Sequence, residues 1–236
     1  MLSEKVSPFS LPLLEWCLIP SGTIVLEGTG EVFEVPSFQM GRYPITNAQY
    51  DAFIQAGGYK QKAWWNGLEE HVTSPRASDW REENCPKLQV SWFEAVAYCR
   101  WLSDRLAQPV RLPTEWEWQW AAAGSTGWAY AYGDTFDLNR CSTRETGIER
   151  THPVNAFAEV STPFGVVDMS GHVWEWCLNR GTAPYQTFTY GMENRAVRGG
   201  SWHNAAQNAC VTYRASRTPR TRTFNIGFRV MIGEPL

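Results

Sequence analysis

Gly165-Val166-Val167-Asp168-Met169-Ser170-Gly171-His172-Val173-Trp174-Glu175-Trp176 is the stretch on which the reading of this chain turns. Two short β-prone runs, Gly165–Asp168 and Val173–Trp176, flank the turn residues Ser170 and Gly171. Two carboxylates, Asp168 and Glu175, stand seven apart around Gly171. Working outward, similar short strands are expected at Val110–Leu112, Ala196–Arg198 and Gly227–Met231. Gly22–Glu34 alternates loosely, and Val35–Met40 could extend it as a hairpin. Three helices announce themselves by capping boxes, in which a Ser/Thr and a Glu/Gln three residues on satisfy each other's backbone N–H groups. The pairs are Thr46 with Gln49, Ser91 with Glu94 and Thr114 with Glu117, each heading an apolar periodic run. Tyr59–Lys87 and Gly127–Pro153 show little periodicity and read as long loops, where function often sits. No repeat or Ser/Gly linker divides residues 1–236, so we expect one α+β domain.

Composition agrees with a packed, loop-rich fold. Of 236 residues, 43% are hydrophobic and 19% charged, with 13 Trp, 19 Gly and 14 Pro, which excludes wholesale disorder. The longest apolar stretch, Leu11–Pro20, is broken by Pro12 and Glu15, so no membrane insertion is expected. Glu4 and Glu15 spoil a secretion signal, and a cytoplasmic location is the expectation. Cys17, Cys85, Cys99, Cys141, Cys177 and Cys210 form no CxxC pair, so free buried thiols are expected rather than a zinc site or disulfides. The net charge of -3 hides an asymmetry: Arg195–Leu236 holds seven Arg and one acid. These Arg sit among Thr, Ser and Asn rather than in a run, so they are read as balancing an acidic body, not as a nucleic-acid surface. A nucleic-acid binder would instead lose affinity steeply with salt.

Four stretches occur in an order that resembles one family. They are Gly41-Arg42-Tyr43-Pro44-Ile45-Thr46-Asn47, Arg111-Leu112-Pro113-Thr114-Glu115-Trp116-Glu117-Trp118, the opening Gly165–Trp176 stretch, and Arg198-Gly199-Gly200-Ser201-Trp202 with Asn225-Ile226-Gly227-Phe228-Arg229-Val230. Together they resemble the formylglycine-generating enzyme (sulfatase-modifying factor) domain, from about Ile19 to Ile232. The resemblance implies a compact C-type lectin fold: short sheets, two to three helices, long loops and often calcium. The enzymes of that family hold copper with two cysteines after Gly-Gly-Ser. Here that segment has only Cys210, so no copper is expected, since a single thiol does not make the soft thiolate pair. The related sulfoxide synthases carry iron-binding histidines partly on a separate helical domain, which this sequence lacks. His71, His152, His172 and His203 form no short-spaced pair, and Glu115 and Glu117 read as capping groups, so no catalytic residue is assigned. The family's calcium loop, carried over, gives Asp168, the carbonyls of Gly171 and Val173, and Glu175, oxygen donors that suit calcium. A pairing of Glu175 with an Arg is the alternative. His172 stands where the family often has Asn and reads as structural rather than as a ligand. A second family site near Asn139 and Glu145 matches poorly.

The segment His203–Asn225 reads HNAAQNACVTYRASRTPRTRTFN. It lacks Trp, Met, Lys and Glu and has one Gln, whereas those five types supply 46 of the first 202 residues. None of the five has a codon ending in C. Adenine-directed mutagenesis of Asn (AAC) codons would leave that bias, and it is how diversity-generating retroelements act. Their variable proteins often resemble this family, with the variable segment at the C-terminus. We therefore expect a non-catalytic protein whose segment 198–230 binds a protein or glycan ligand. The candidate contacts are His203, Ala205, Ala215, Ser216, Arg217, Arg220, Thr221, Thr223 and Phe224, a mix of adaptable and anchoring side chains. Such a surface needs a backbone fixed by other residues. Gly199, Gly200 and Gly227 would permit close approach, with Trp202 and Phe228 as core anchors. The competing reading is an oxidoreductase of the sulfatase-modifying type.

Overall fold

The computed structural model describes residues 12–234. The expectations drawn from Glu4 and from the Leu11 end of the apolar stretch lie outside them. Ten short strands and three helices follow one another: β1 (Trp16–Ile19), β2 (Gly22–Leu26), β3 (Glu31–Val35), β4 (Phe38–Gly41), α1 (Asn47–Gln55), α2 (Trp92–Leu106), β5 (Val110–Arg111), α3 (Glu115–Ala123), β6 (Trp174–Arg180), β7 (Arg195–Arg198), β8 (Ala215–Arg217), β9 (Ile226–Gly227) and β10 (Met231–Ile232). One sheet runs β1-β4-β10-β5, a second is the β2-β3 hairpin, and the third runs β8-β7-β6-β9.

All three capping boxes are formed, and each sets a helix start. Ser91 Oγ accepts from Glu94 N while Glu94 Oε2 accepts from Ser91 N at 2.8 Å. The boxes at Thr46 and Thr114 repeat that reciprocity. Helix α2 is buried along nearly its whole first three turns, from Trp92 to Leu102. It packs Tyr98 and Trp101 against Tyr50, Phe53 and Phe228, with ring centroids 5.3–5.8 Å apart. A second cluster gathers Trp116, Trp118 and Trp120 of α3 under β2 and β4.

The strands depart from the expectations in three places. Gly165–Asp168 is not a strand, because Gly165 and Asp168 both take positive φ and the pleat cannot continue through them. Val35–Met40 does not extend the hairpin: β4 leaves β3 and pairs with β1 and β10. Gly227–Met231 splits, so that β9 joins β6 while β10 lies between β4 and β5. Alternation in four-residue strands says little about the neighbour each will choose.

One buried charge stands apart. Lys87 is only 4% exposed, its Nζ donates to the Arg76 carbonyl, and no carboxylate lies within ion-pair reach of it among the described residues. Burial pulls its pKa down from 10.5 to about 8. Between those two values the folded chain sheds this proton while the unfolded chain keeps it, so stability should rise with pH across that window. Lys87→Met should remove that slope and stabilise the chain at pH 7 by roughly 1–3 kcal/mol. Urea unfolding of both proteins at pH 7, 9 and 10 checks it; parallel pH profiles would contradict it.

Candidate ligand-binding surface

The segment from Trp202 to Asn225 crosses the surface with little regular structure, yet its backbone is tied down at short intervals. At its start, Asn204 Oδ1 accepts from Trp174 Nε1 at 2.8 Å and from Ser201 Oγ. Val211 donates its N–H to Ala129 and accepts from Arg198. Strand β8 pairs with β7. Beyond it, the Pro219 carbonyl accepts from Trp92 N and the Thr223 carbonyl from Gln89 N. Asn225 closes the segment, its carbonyl accepting from Trp174 N.

Two glycines make the tight approaches possible. A Cβ on Gly200, whose φ is +74°, would lie 2.8 Å from the Asn208 carbonyl oxygen, and one on Gly227 would lie 2.7 Å from that of Lys87. Trp202 and Phe228 are buried.

The strongest ties are arginines reaching inward. Arg214 forms a two-pronged pair with Glu115, both contacts at 2.7 Å. The buried Arg198 approaches the same carboxylate at 3.4 Å and donates to Gln119 Oε1 at 2.8 Å. The bond to Glu115 holds the Arg214 guanidinium above its ordinary pKa. Arg222 reaches Glu94 Oε2 at 2.6 Å, inside the capping box of α2. Glu94 therefore serves twice, as part of the α2 cap and as an anchor for the C-terminal segment, while the Glu115 carboxylate at the start of α3 is an anchor. The sequence reading saw only the cap.

These contacts account for the basic C-terminal end. Arg195 donates to the carbonyls of Leu178, Phe188 and Tyr190 and lies 3.9 Å from the Trp92 ring centroid. Arg229 is fully buried against Glu175. Of the seven arginines, only Arg217 and Arg220 are exposed, and Arg220 is paired with Glu70 at 2.6 Å. Charges turned inward cannot track a phosphate backbone, so the charge-balance reading describes where they go.

On the outer side, His203, Arg217, Arg220 and Phe224 are exposed. His203 and Phe224 meet edge to face at 5.2 Å, over Trp202, which in turn meets Trp80 at 5.2 Å. Thr221 is half-buried, its hydroxyl 3.0 Å from that of Thr218, and Ala205 is half-buried at the head of a 3₁₀ turn. Ala215, Ser216 and Thr223 are half-buried as well. Ala215 packs on the core beneath β8, and Ser216 fills the space over Gly181. Thr223 has a buried hydroxyl and spends its carbonyl on Gln89. Gln207, Thr212, Tyr213 and Thr218 are exposed in the same segment and were missed. Trp80 was also missed, since nothing in an aperiodic loop marks which aromatic folds back.

Replacing His203, Arg217, Arg220 and Phe224 together by Ala should cost at most about 1–2 kcal/mol, since exposed side chains away from special features contribute little. Thermal unfolding of the quadruple variant checks this. A loss beyond about 4 kcal/mol would mean these residues hold the scaffold.

The calcium loop needs correction. Glu175 is fully buried; Arg229 Nε and Nη2 reach its two oxygens at 2.6 and 2.7 Å, and Trp118 Nε1 donates at 2.7 Å. A calcium ion there would have to break a charged two-pronged pair. Asp168 faces the other way, its Oδ2 lying 2.9 Å from His172 Nδ1. Burial pushes the Asp168 carboxyl up, but His172 outweighs it and leaves a net lowering.

The thiols offer no copper pair in the segment. The six cysteines are free, and Cys210 packs in a cluster with Tyr130, Tyr132 and Cys141. Burial pushes the Cys141 thiol up to about 11, so it is protonated at neutral pH.

A rigid α+β scaffold of short sheets that carries an anchored, outward-facing C-terminal segment is a C-type lectin fold. The sulfatase-modifying factor enzyme 1-like domain matches residues 4–233, and the chain belongs to that family. The hercynine oxygenase of Mycolicibacterium thermoresistibile is 29% identical over 86% of this chain and 52% of that protein. The chain thus spans about half the length of such relatives. The inactive C-alpha-formylglycine-generating enzyme 2 of Mus musculus is 29% identical over 86% of this chain and 77% of that protein. Among solved structures, Treponema denticola variable protein 1 shares the fold, with a TM-score of 0.70 at 19% identity, over 95% of this chain and 97% of that one. No helix among the described residues is long and apolar enough to cross a membrane.

Proposed function

We propose that this protein is a non-catalytic ligand-binding member of its family. It recognises a protein or glycan through exposed side chains of the segment 203–224, as the variable protein of a diversity-generating retroelement. The observation that carries this reading is a division of labour. Arg214 and Arg222 fix the segment by ion pairs to buried carboxylates, while His203, Arg217, Arg220 and Phe224 face water with little structural duty. A surface organised in this way can change its contacts without losing its backbone, which is what preorganised recognition requires. The amino-acid bias of the same segment, which lacks Trp, Met, Lys and Glu, is an independent support. That the segment holds a single thiol, Cys210, weighs against copper chemistry of the formylglycine-generating type.

The test is deep sequencing of the codons for His203–Asn225 in a clonal population, with a search of adjacent DNA for a near-copy. Substitutions confined to adenines of that copy are the expected result, with the Arg214 and Arg222 codons spared. An invariant segment without a near-copy would remove the retroelement, and oxidase assays with bound-metal measurement would then take precedence.

A further inference from the structure

We propose that Lys87 is a covalent capture site for small anionic aldehydes, which its ε-amine takes up as an imine within a surface cleft. It stands independently of the ligand-binding reading. The cleft holds about 260 Å³, and its lining includes Asp51, Arg76, Arg81 and Lys87. That is below the roughly 300–1,000 Å³ of drug-sized sites, so it suits a metabolite of a few carbons. Asp51, Arg76 and Arg81 are exposed, whereas Lys87 is buried. Lys87 Nζ donates at 2.5 Å to the carbonyl of Arg76, another residue of the lining, and lies 5.3 Å from the Tyr50 ring centroid. The amine end of the side chain therefore stands between the cleft and the core.

The surroundings make this amine a nucleophile. Burial is the largest influence on it; Asp51 and Glu94 favour the ammonium from a distance, and Arg222 and Arg81 oppose it. The balance pulls the amine down to about 8. About a tenth of the molecules then carry neutral Lys87 at pH 7, against fewer than about one in a thousand for an ordinary lysine. A lysine desolvated beside other cations is one established route to an imine-forming amine. Capture also agrees with the site's energetics. An imine nitrogen is far less basic than an amine, so its formation removes a charge that the buried position penalises.

The reaction balances without an oxidant or a cofactor. The Nζ lone pair forms the C–N bond at the aldehyde carbon, the carbonyl oxygen leaves as water, and both amine protons end in that water. The cleft selects the aldehyde by charge. Once Lys87 is neutral, Arg76 and Arg81 stand against Asp51, so the lining keeps one net positive charge. Arg81 makes no ion pair among the described residues, and Arg76 makes one long bond, to the Arg222 carbonyl at 3.4 Å. Both guanidiniums thus have donors to spare for a carboxylate, which they bind more strongly than a neutral oxygen. An aldehyde bearing an acid group meets the amine with one end and the arginines with the other.

The test is incubation of the full chain with glyoxylate and cyanoborohydride at pH 7, with peptide mass spectrometry to locate the reduced adduct. The exposed Lys60 and Lys62 are the internal comparison. The expected result is labelling of Lys87 at least about tenfold faster than of either. That preference should be smaller with acetaldehyde, which lacks the acid group. The double variant Arg76→Ala/Arg81→Ala should bring the glyoxylate preference down to the acetaldehyde value, while labelling of Lys60 and Lys62 stays as in the parent. Labelling of Lys87 no faster than of the exposed lysines, or an equal preference with both aldehydes, would overturn the proposal.

Discussion

Glu115→Ala should lower the unfolding free energy by about 3–5 kcal/mol, because it strands two guanidiniums that share one carboxylate. Arg198 is fully buried and cannot turn to water, while Arg214 is only partly exposed. Asn179 Nδ2, which donates to Glu115 Oε1 at 2.8 Å and to the Arg180 carbonyl at 3.1 Å, loses the shorter of these bonds as well. The loss should also be local. Arg214 precedes β8, so amides of Ala215–Arg217 should exchange faster with solvent than those of α2. Urea unfolding with hydrogen exchange reads both effects. A cost below about 1 kcal/mol would mean that the two guanidiniums do not depend on this carboxylate.

Glu175→Gln is expected to cost a similar 3–5 kcal/mol, again by leaving a buried cation unpaired. Its partner Arg229 also donates to the carbonyls of Gly41 and Val167, at 3.1 and 2.9 Å, so the pair fastens three parts of the chain together. The double variant Glu175→Leu/Arg229→Met should be less damaging than the sum of its single changes, since no lone charge remains. Added calcium should not restore Glu175→Gln, nor raise the parent's melting temperature through this residue. Stabilisation by calcium that vanished with Glu175→Gln would reinstate Glu175 as a calcium ligand.

The helices were legible because their signals are local. Thr46, Ser91 and Thr114 each find their partner three residues away, and the spacing alone places both. The anchors at Trp202 and Phe228 were legible from their flanking glycines. Sheet partners were not, since β10 takes neighbours from residues 38–41 and 110–111, which nothing in Met231–Ile232 encodes. The anchoring roles of Glu94 and Glu115 were hidden for the same reason, and for Glu175 a pairing with an Arg was named but not which Arg. Each was read within its own segment, yet its partner lies 54 to 128 residues away. The side of β8 that faces inward likewise depends on β7, so Ala215 and Ser216 could not be placed from their own letters.

The position of β10 has a consequence for synthesis. Its two residues sit between β4 and β5, and the variable-segment candidates all precede it in the chain. On a ribosome, that sheet stays open until the stretch around Met231 has emerged, so closure joins segments made early to one made well after them. Distant pairings of this kind are slow and leave strand edges exposed meanwhile. Each altered version of residues 203–225 must therefore pass through this interval before the sheet closes. Sequences that obstruct the return of Arg229 and Met231 would be left to chaperones and proteases, whatever they might have bound.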